Sequence, residues 1–372
     1  MMKRIITLLL AVAALFCRLP VICAAEAAND RLDSYSAEIN ERLDSAIDDD
    51  TRRLMRENGA ENNSLNWLTP GRILQMIADR LAVSADEPLR MTARLTAVLL
   101  LTALVKSMVQ GALSQGFSAV GTIAAITLIY HSVYDAFNEV CAFLDRLSAF
   151  MLSYIPIFAS VNAASGNFAA GGSYYAAALG ICELIGFVSK SVIMSFLSLF
   201  MALSFAAAVN PDMHFSEAAA SVKNAVKLTL NALMTIFTSS MAVKSISGAA
   251  ADSAAARAVR FGVSSFVPII GGSVSEAYSS VYAGVGVIRS GVGTVGITVI
   301  GFMLLQPIAT LMLVRAALGA ATFISELLGL KEPAELMKST SYAMSAAIST
   351  VLCFAMMFII STSVVMLTAA NR

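Results

Sequence analysis

The sequence predicts an all-α, polytopic helical membrane protein of about six to eight membrane segments, preceded by an extracytoplasmic segment of amphipathic helices. Three observations predict this class. Of 372 residues, 58% are hydrophobic and 13% charged, where an ordinary soluble domain carries about 25% charged residues; mean hydropathy is +0.75. The charge is concentrated: residues 26–90 hold 14 of the 25 acids and 8 of the 25 bases, a net of −6. The remainder is broken by charges into long uncharged runs, and about 20 residues at 1.5 Å rise cross a hydrocarbon core of roughly 30 Å.

Residues 1–25 read as a secretory signal peptide. Lys3 and Arg4 precede the apolar stretch Ile5–Phe16, Pro20 ends the helix, and Cys23 and Ala25 place small residues at −3 and −1 of a cut. An uncleaved anchor is the alternative, although Arg18 makes the apolar core short for a permanent span. Residues 26–90 then lie outside the cytoplasm. Leu32, Tyr35, Ile39, Leu43 and Ile47 form one apolar stripe at helical spacing, interrupted by the asparagines and Gly59 of NGAENNS. Thr69-Pro70 fits an N-cap with proline at the first helical position. Ile73, Ile77 and Leu81 form a second stripe, and Pro88 separates it from a multi-pass domain, residues 91–372. Two readings of 26–90 stay open: a docking surface for a partner, or a hairpin lying on the rest of the protein.

In the multi-pass part, uncharged runs extend over Ser107–Tyr134, Leu147–Cys182, Ser191–Pro211, Ser290–Val314 and Ser339–Asn371. Leu95–Val105 is expected to join the residues after Lys106 as a first span. Leu147–Cys182 contains Pro156 and the small-residue stretch AASGNFAAGGS, so it reads as one span, or one span plus a re-entrant loop. Residues 228–243 and 262–288 are shorter candidates, and 213–227 and 249–262 look amphipathic and suited to a membrane surface. Lys223, Lys227, Lys244, Arg257, Arg260, Lys331 and Lys338 are candidates for the cytoplasmic side.

Gly291-Val-Gly-Thr-Val-Gly296 spells G-x-G-x-x-G. A dinucleotide loop needs a preceding strand, a soluble βαβ unit and an acid about 20 residues on. Here a membrane span follows, and the next acid is Glu326. In lipid, glycine serves helix packing, because two backbones approach closely where no side chain intervenes. Gly284, Gly286, Gly291, Gly293 and Gly296 therefore mark a face that meets protein, or else a broken helix lining a cavity. Arg289 sits among them, and an arginine bare to hydrocarbon is costly. Upstream, Pro268 with Gly271-Gly272 is expected to stop one helix, and Ser273 with Glu276 to cap the next; Glu276 alternatively faces a pore or partner. Glu183 and Lys190, seven residues apart, share a helix face and either line a polar path or pair with other segments.

Chemistry-bearing motifs are sparse. The histidines are His131 and His214, and no H-E-x-x-H, G-x-S-x-G or Walker motif occurs. No cofactor or metal is implied, and no basic cluster points to nucleic acid. The five cysteines are scattered and suit packing.

The order YIPIFASVNAASGN (154–167), FVPIIGGSVSEAY (266–278), the glycine-rich GVGVIRSGVG and a closing span ending TAAN (368–371) resembles the stage III sporulation protein AE family. The resemblance runs from the signal peptide to the C-terminus. It implies a polytopic protein made in the mother cell of an endospore former and placed in the membrane around the forespore. There it would join other membrane proteins of the same operon in a channel-like complex that supports late forespore gene expression and forespore maturation. It implies no catalytic residues. The partners are then the lipid bilayer and other subunits of that complex, with a homo-oligomer open. A stand-alone secondary transporter is the alternative reading, motivated by glycine- and proline-interrupted segments and buried charges.

Overall fold

The computed structural model describes residues 34, 36–59, 70–109, 112–164, 180–181, 184–210, 213–237, 239 and 271–370. The signal peptide, Leu32, Tyr35, Glu183, Pro268 and the 249–262 segment lie outside the described residues. Among the described residues there are helices and no strands. Five helices are long and apolar enough to cross a membrane: Asp86–Met108, Gly116–Val161, Leu184–Val209, Gly291–Leu327 and Lys331–Ile359. The chain is an all-α, multi-pass membrane protein.

Helix α1 (36–46) buries Ile39 and Leu43, the stripe that its three- and four-residue spacing predicts. Helix α2 (Asp49–Glu57) starts at Asp48, whose carboxylate accepts from Thr51 N–H at 3.2 Å, and carries acids in its first turn and Arg56 in its last. Those charges complement the helix dipole. Arg52 locks α1 to α2, donating to the Asp44 carbonyl, to Ile47 O at 3.0 Å and to Asp49 Oδ1 at 2.8 Å. Gly59 ends the pair at φ 66°, a conformation that favours glycine. Helix α3 (Pro70–Ser84) has proline at its first position, as predicted. The apolar stripe of this segment is spent internally: Ile39, Leu43, Ile47, Met55 and Met76 join the main buried cluster.

Helix α4 (Asp86–Met108) corrects two expectations. It starts right after Ala85, so Pro88 is not a separator but lies in the first turn, where its missing N–H costs nothing. It also ends at Met108, so the span takes in only Ser107 and Met108 after Lys106, and the residues from Ala112 belong to the next helix. Met91, Leu95 and Leu99 are buried, while Leu100, Leu101, Leu104 and Met108 on the other face are exposed. A helix apolar all round with one face uncovered is solvated by lipid.

Helix α5 (Ala112–Ala164) joins parts of two uncharged runs and continues through Pro156. The charges between them do not interrupt it, because they find partners: Arg146 donates to Glu139 at 2.9 Å, and His131 Nε2 lies 3.4 Å from Asp135. Helix α6 (Leu184–Val209) contains a π-helical turn, Val188–Ile193. Helix α7 (215–237) merges the predicted surface helix with the short candidate after it; Ala219, Val226 and Leu233 are buried at seven-residue spacing, with Phe237 one turn on.

Helices α8 (Gly271–Leu327) and α9 (Lys331–Ala370) form an antiparallel hairpin. Their turn is a Schellman motif: Gly329 at φ 70°, Leu330 N–H to Ser325 O at 2.9 Å and Gly329 N–H to Glu326 O at 3.1 Å, with Leu330 buried. Helix α8 starts at Gly271, so Ser273 lies inside it rather than at a cap. It also runs unbroken through all five glycines and through Pro307, which removes the broken-helix alternative. Helices α4, α5 and α9 pack on α8, α6 packs on α9, and α2 and α3 pack on α8. With 53 and 57 residues, α5 and α8 are about 80 and 85 Å long and extend beyond a hydrocarbon layer of about 30 Å.

Candidate functional site: a helix-packing junction

Phe150, Tyr154 and Phe158 recur every four residues on α5, so their rings stack along one helix face. Ring centroids are 5.3 Å apart for Phe150–Tyr154 and 5.5 Å for Tyr154–Phe158. All three are buried. The Tyr154 ring lies on α8 at Gly296. A Cβ built on Gly296 would sit 2.5 Å from Tyr154 Oη and 2.7 Å from its Cε2, well inside van der Waals contact. The phenol donates to Val292 O at 3.3 Å, one turn before that glycine. The glycine thus leaves space for the ring, and the ring's one polar atom is satisfied by a backbone carbonyl, which a buried tyrosine needs. This junction joins YIPIF to the end of the glycine-rich run.

A second close approach joins α4 to α5. A Cβ on Gly121 would lie 2.9 Å from Thr102 Cβ and 2.5 Å from its Cγ2. Thr102 Oγ1 lies nearest of all to that position and donates back to Val98 O at 2.7 Å, so the hydroxyl is satisfied within the contact. The small-residue rule of membrane bundles therefore operates at two helix pairs.

Lys190 lies in the π turn of α6 and reaches α5, donating to Asp145 Oδ2 at 2.7 Å and Oδ1 at 2.9 Å. The wider turn, with one extra residue, re-aims side chains relative to the rest of the helix. Lys190 therefore pairs with another segment, one of the readings the sequence leaves open.

Two cavities border the bundle. One, about 780 Å³, separates α2 and α3 from α5 and α8; Asp79, Arg80, Glu139, Arg146 and Gln306 line it, and Arg80 reaches Gln306 at 3.5 Å. The acidic segment therefore lies on the membrane part. The other, about 640 Å³, lies between α6, α7 and the start of α9. No three His, Cys, Asp or Glu side chains come together as metal ligands among the described residues.

The sequence-predicted residues separate as follows. Gly291 is partly covered, and Gly293 and Gly296 are buried within α8. Gly271, Gly272, Glu276, Gly284, Gly286 and Arg289 lie on the helical backbone of α8, and their surroundings are not among the described features. Pro268 and Glu183 lie outside the described residues. Sequence reasoning missed Tyr154, Thr102 and Asp145 as contact residues. For Tyr154 the signal was present: aromatic residues at 150, 154 and 158 with the helical period.

The family model of stage III sporulation protein AE matches residues 58–369. The stage III sporulation protein AE of Bacillus subtilis (strain 168) is 22% identical over 175 residues, which cover 47% of this chain and 44% of that protein. The chain thus spans less than half the length of that curated relative. No solved structure matches the fold. Since the matched region runs from the end of α2 almost to the end of α9, and holds both motifs of the Tyr154–Gly296 junction, the chain belongs to the stage III sporulation protein AE family.

Proposed function

We propose that this protein is a polytopic component of a channel-like membrane complex that links mother cell and forespore during endospore formation. In that role it supports forespore maturation and late forespore gene expression, and it acts by packing against other membrane subunits rather than by catalysis. The observation that carries the reading is the family match over residues 58–369. The bundle is consistent with it: its recognisable motifs meet as a helix contact at Tyr154 and Gly296.

The location follows from the same reading. The protein sits in the mother-cell membrane that surrounds the forespore. After a signal peptide at 1–25, residues 26–90 are extracytoplasmic, and the multi-pass domain occupies 91–372. The end of the bundle where Lys223, Lys331 and Lys338 gather is cytoplasmic, in line with the positive-inside rule. The stand-alone transporter loses its main motive, because α8 is continuous through its glycines and Pro307.

Affinity purification of the tagged protein from sporulating cells, in mild detergent, tests the proposal. Recovery of co-operonic membrane proteins in fixed ratio supports it. Recovery of the chain alone, together with solute uptake when it is reconstituted alone in liposomes, overturns it.

A further inference from the structure

The 640 Å³ cavity between α6, α7 and α9 has a chemistry that the packing role does not use. Its floor is apolar, formed by Phe200, Ala208 and Leu336. Its rim is basic and hydroxylic. Lys223 stands 3.9 Å above the centroid of the Tyr342 ring, and Lys331 opens α9. The acids at the rim are engaged elsewhere: Glu332 accepts from Ser118 of α5 at 3.1 Å, and Glu335 and Glu326 hold Lys338 at 3.0 and 2.9 Å. Among the described residues, neither Lys223 nor Lys331 has a carboxylate partner. The N-terminal ends of α7 and α9 face the same space through Ser216 and Lys331, and both contribute positive dipole ends.

An independent observation points to a ligand. Ser204 lines this cavity and is 5% exposed, yet its Oγ makes no hydrogen bond among the described residues. On the same helix Ser198 returns its hydroxyl to the carbonyl four residues back, Met194 O, at 2.9 Å. An unpaired buried hydroxyl is destabilising unless a partner fills the site.

We propose that this cavity binds an anionic phospholipid. The phosphodiester takes Lys223, Lys331 and the helix starts, the Ser204 hydroxyl turns toward the cavity to donate to a headgroup or glycerol oxygen, and the upper acyl chain lies on Phe200 and Leu336. A basic pocket between membrane helices is suited to such headgroups. The inference rests on the membrane reading but not on the partner complex, so its failure leaves the purification test above untouched.

The test uses the full chain in neutral detergent, with bound molecules counted by native mass spectrometry and stability followed by melting. Phosphatidylglycerol is expected to bind one-to-one and raise Tm, whereas phosphatidylcholine and free glycerol 3-phosphate do neither. Replacing both lysines (Lys223→Gln with Lys331→Gln) is expected to weaken phosphatidylglycerol by at least roughly tenfold. Ser204→Ala is expected to weaken it roughly threefold. Arg94→Gln, on the α4 surface away from the cavity, leaves binding unchanged. Equal binding of phosphatidylcholine, or wild-type affinity in the double variant, overturns the proposal. Binding of glycerol 3-phosphate as tight as that of the lipid assigns the cavity to a soluble phosphate and also overturns it. If the double variant does not fold, the three ligands on the wild-type chain decide.

Discussion

Gly296 has no room for a side chain because the Tyr154 ring already occupies the space where a Cβ would project. Gly296→Val must displace that ring or separate the two helices, at a cost of about 1–3 kcal/mol. Tyr154→Phe keeps the ring and loses only the hydrogen bond to Val292, about 0.6 kcal/mol by the standard of membrane bundles. Tyr154→Ala empties the site and costs about 3–5 kcal/mol, as for other large aromatics. Melting of the purified protein is expected to rank Tyr154→Phe as the mildest, Gly296→Val next and Tyr154→Ala as the most severe. A double variant, Gly296→Val with Tyr154→Ala, is expected to lose less than the sum, because the valine then fills vacated space. At this scale the sequence was legible in part. The density of glycine in α8 announces a protein-facing surface; which ring it accommodates does not follow, because the partner lies 142 positions away on α5. Thr102 opposite Gly121 was illegible for the same reason: a lone glycine and a lone threonine carry no pairing signal.

Elements are where charge, capping and turn chemistry act. The α8–α9 turn needs a left-handed residue at Gly329, so Gly329→Ala is expected to cost about 1–2 kcal/mol although the space an added Cβ would enter is open. The Lys190–Asp145 pair ties α6 to α5. Lys190→Asp or Asp145→Lys alone is expected to lower the amount of protein in the membrane, and the exchanged double variant to restore it. Equal loss in all three, measured on immunoblots of membrane fractions, would show that the pair sets nothing. Helix existence was legible from period and apolar run length. Boundaries were not. Asp135, Glu139, Asp145 and Arg146 read as the end of a span, yet α5 continues because each finds a partner: His131 for Asp135, Lys190 for Asp145, and Arg146 and Glu139 for each other. Pro88 read as a break, and it sits within a helix, in a first turn that needs no N–H; α8 likewise continues through Pro307.

For the whole molecule, composition alone sufficed for class: a chain with 13% charge and 58% apolar residues has lipid as its main solvent. The seating of α2 and α3 on α8 was one of two open readings, since an amphipathic stripe shows that a face is buried and not what buries it. The sidedness proposed for the bundle predicts that, in a chain without native cysteines expressed in non-sporulating cells, where it lies in the membrane that bounds the cell, Arg53→Cys reacts with an impermeant maleimide in intact protoplasts and Lys331→Cys only after permeabilisation. The central claim is that the protein acts through helix contacts and not through side-chain chemistry. Spore counts in a strain carrying the substituted chain as its sole copy test this most directly. The account expects Gly296→Val to abolish mature spores at normal transcript levels, while the combined His131→Ala, His214→Ala and Glu183→Gln chain sporulates as the unaltered one does. Full sporulation by the glycine variant, with none by the histidine and glutamate variant, would contradict it.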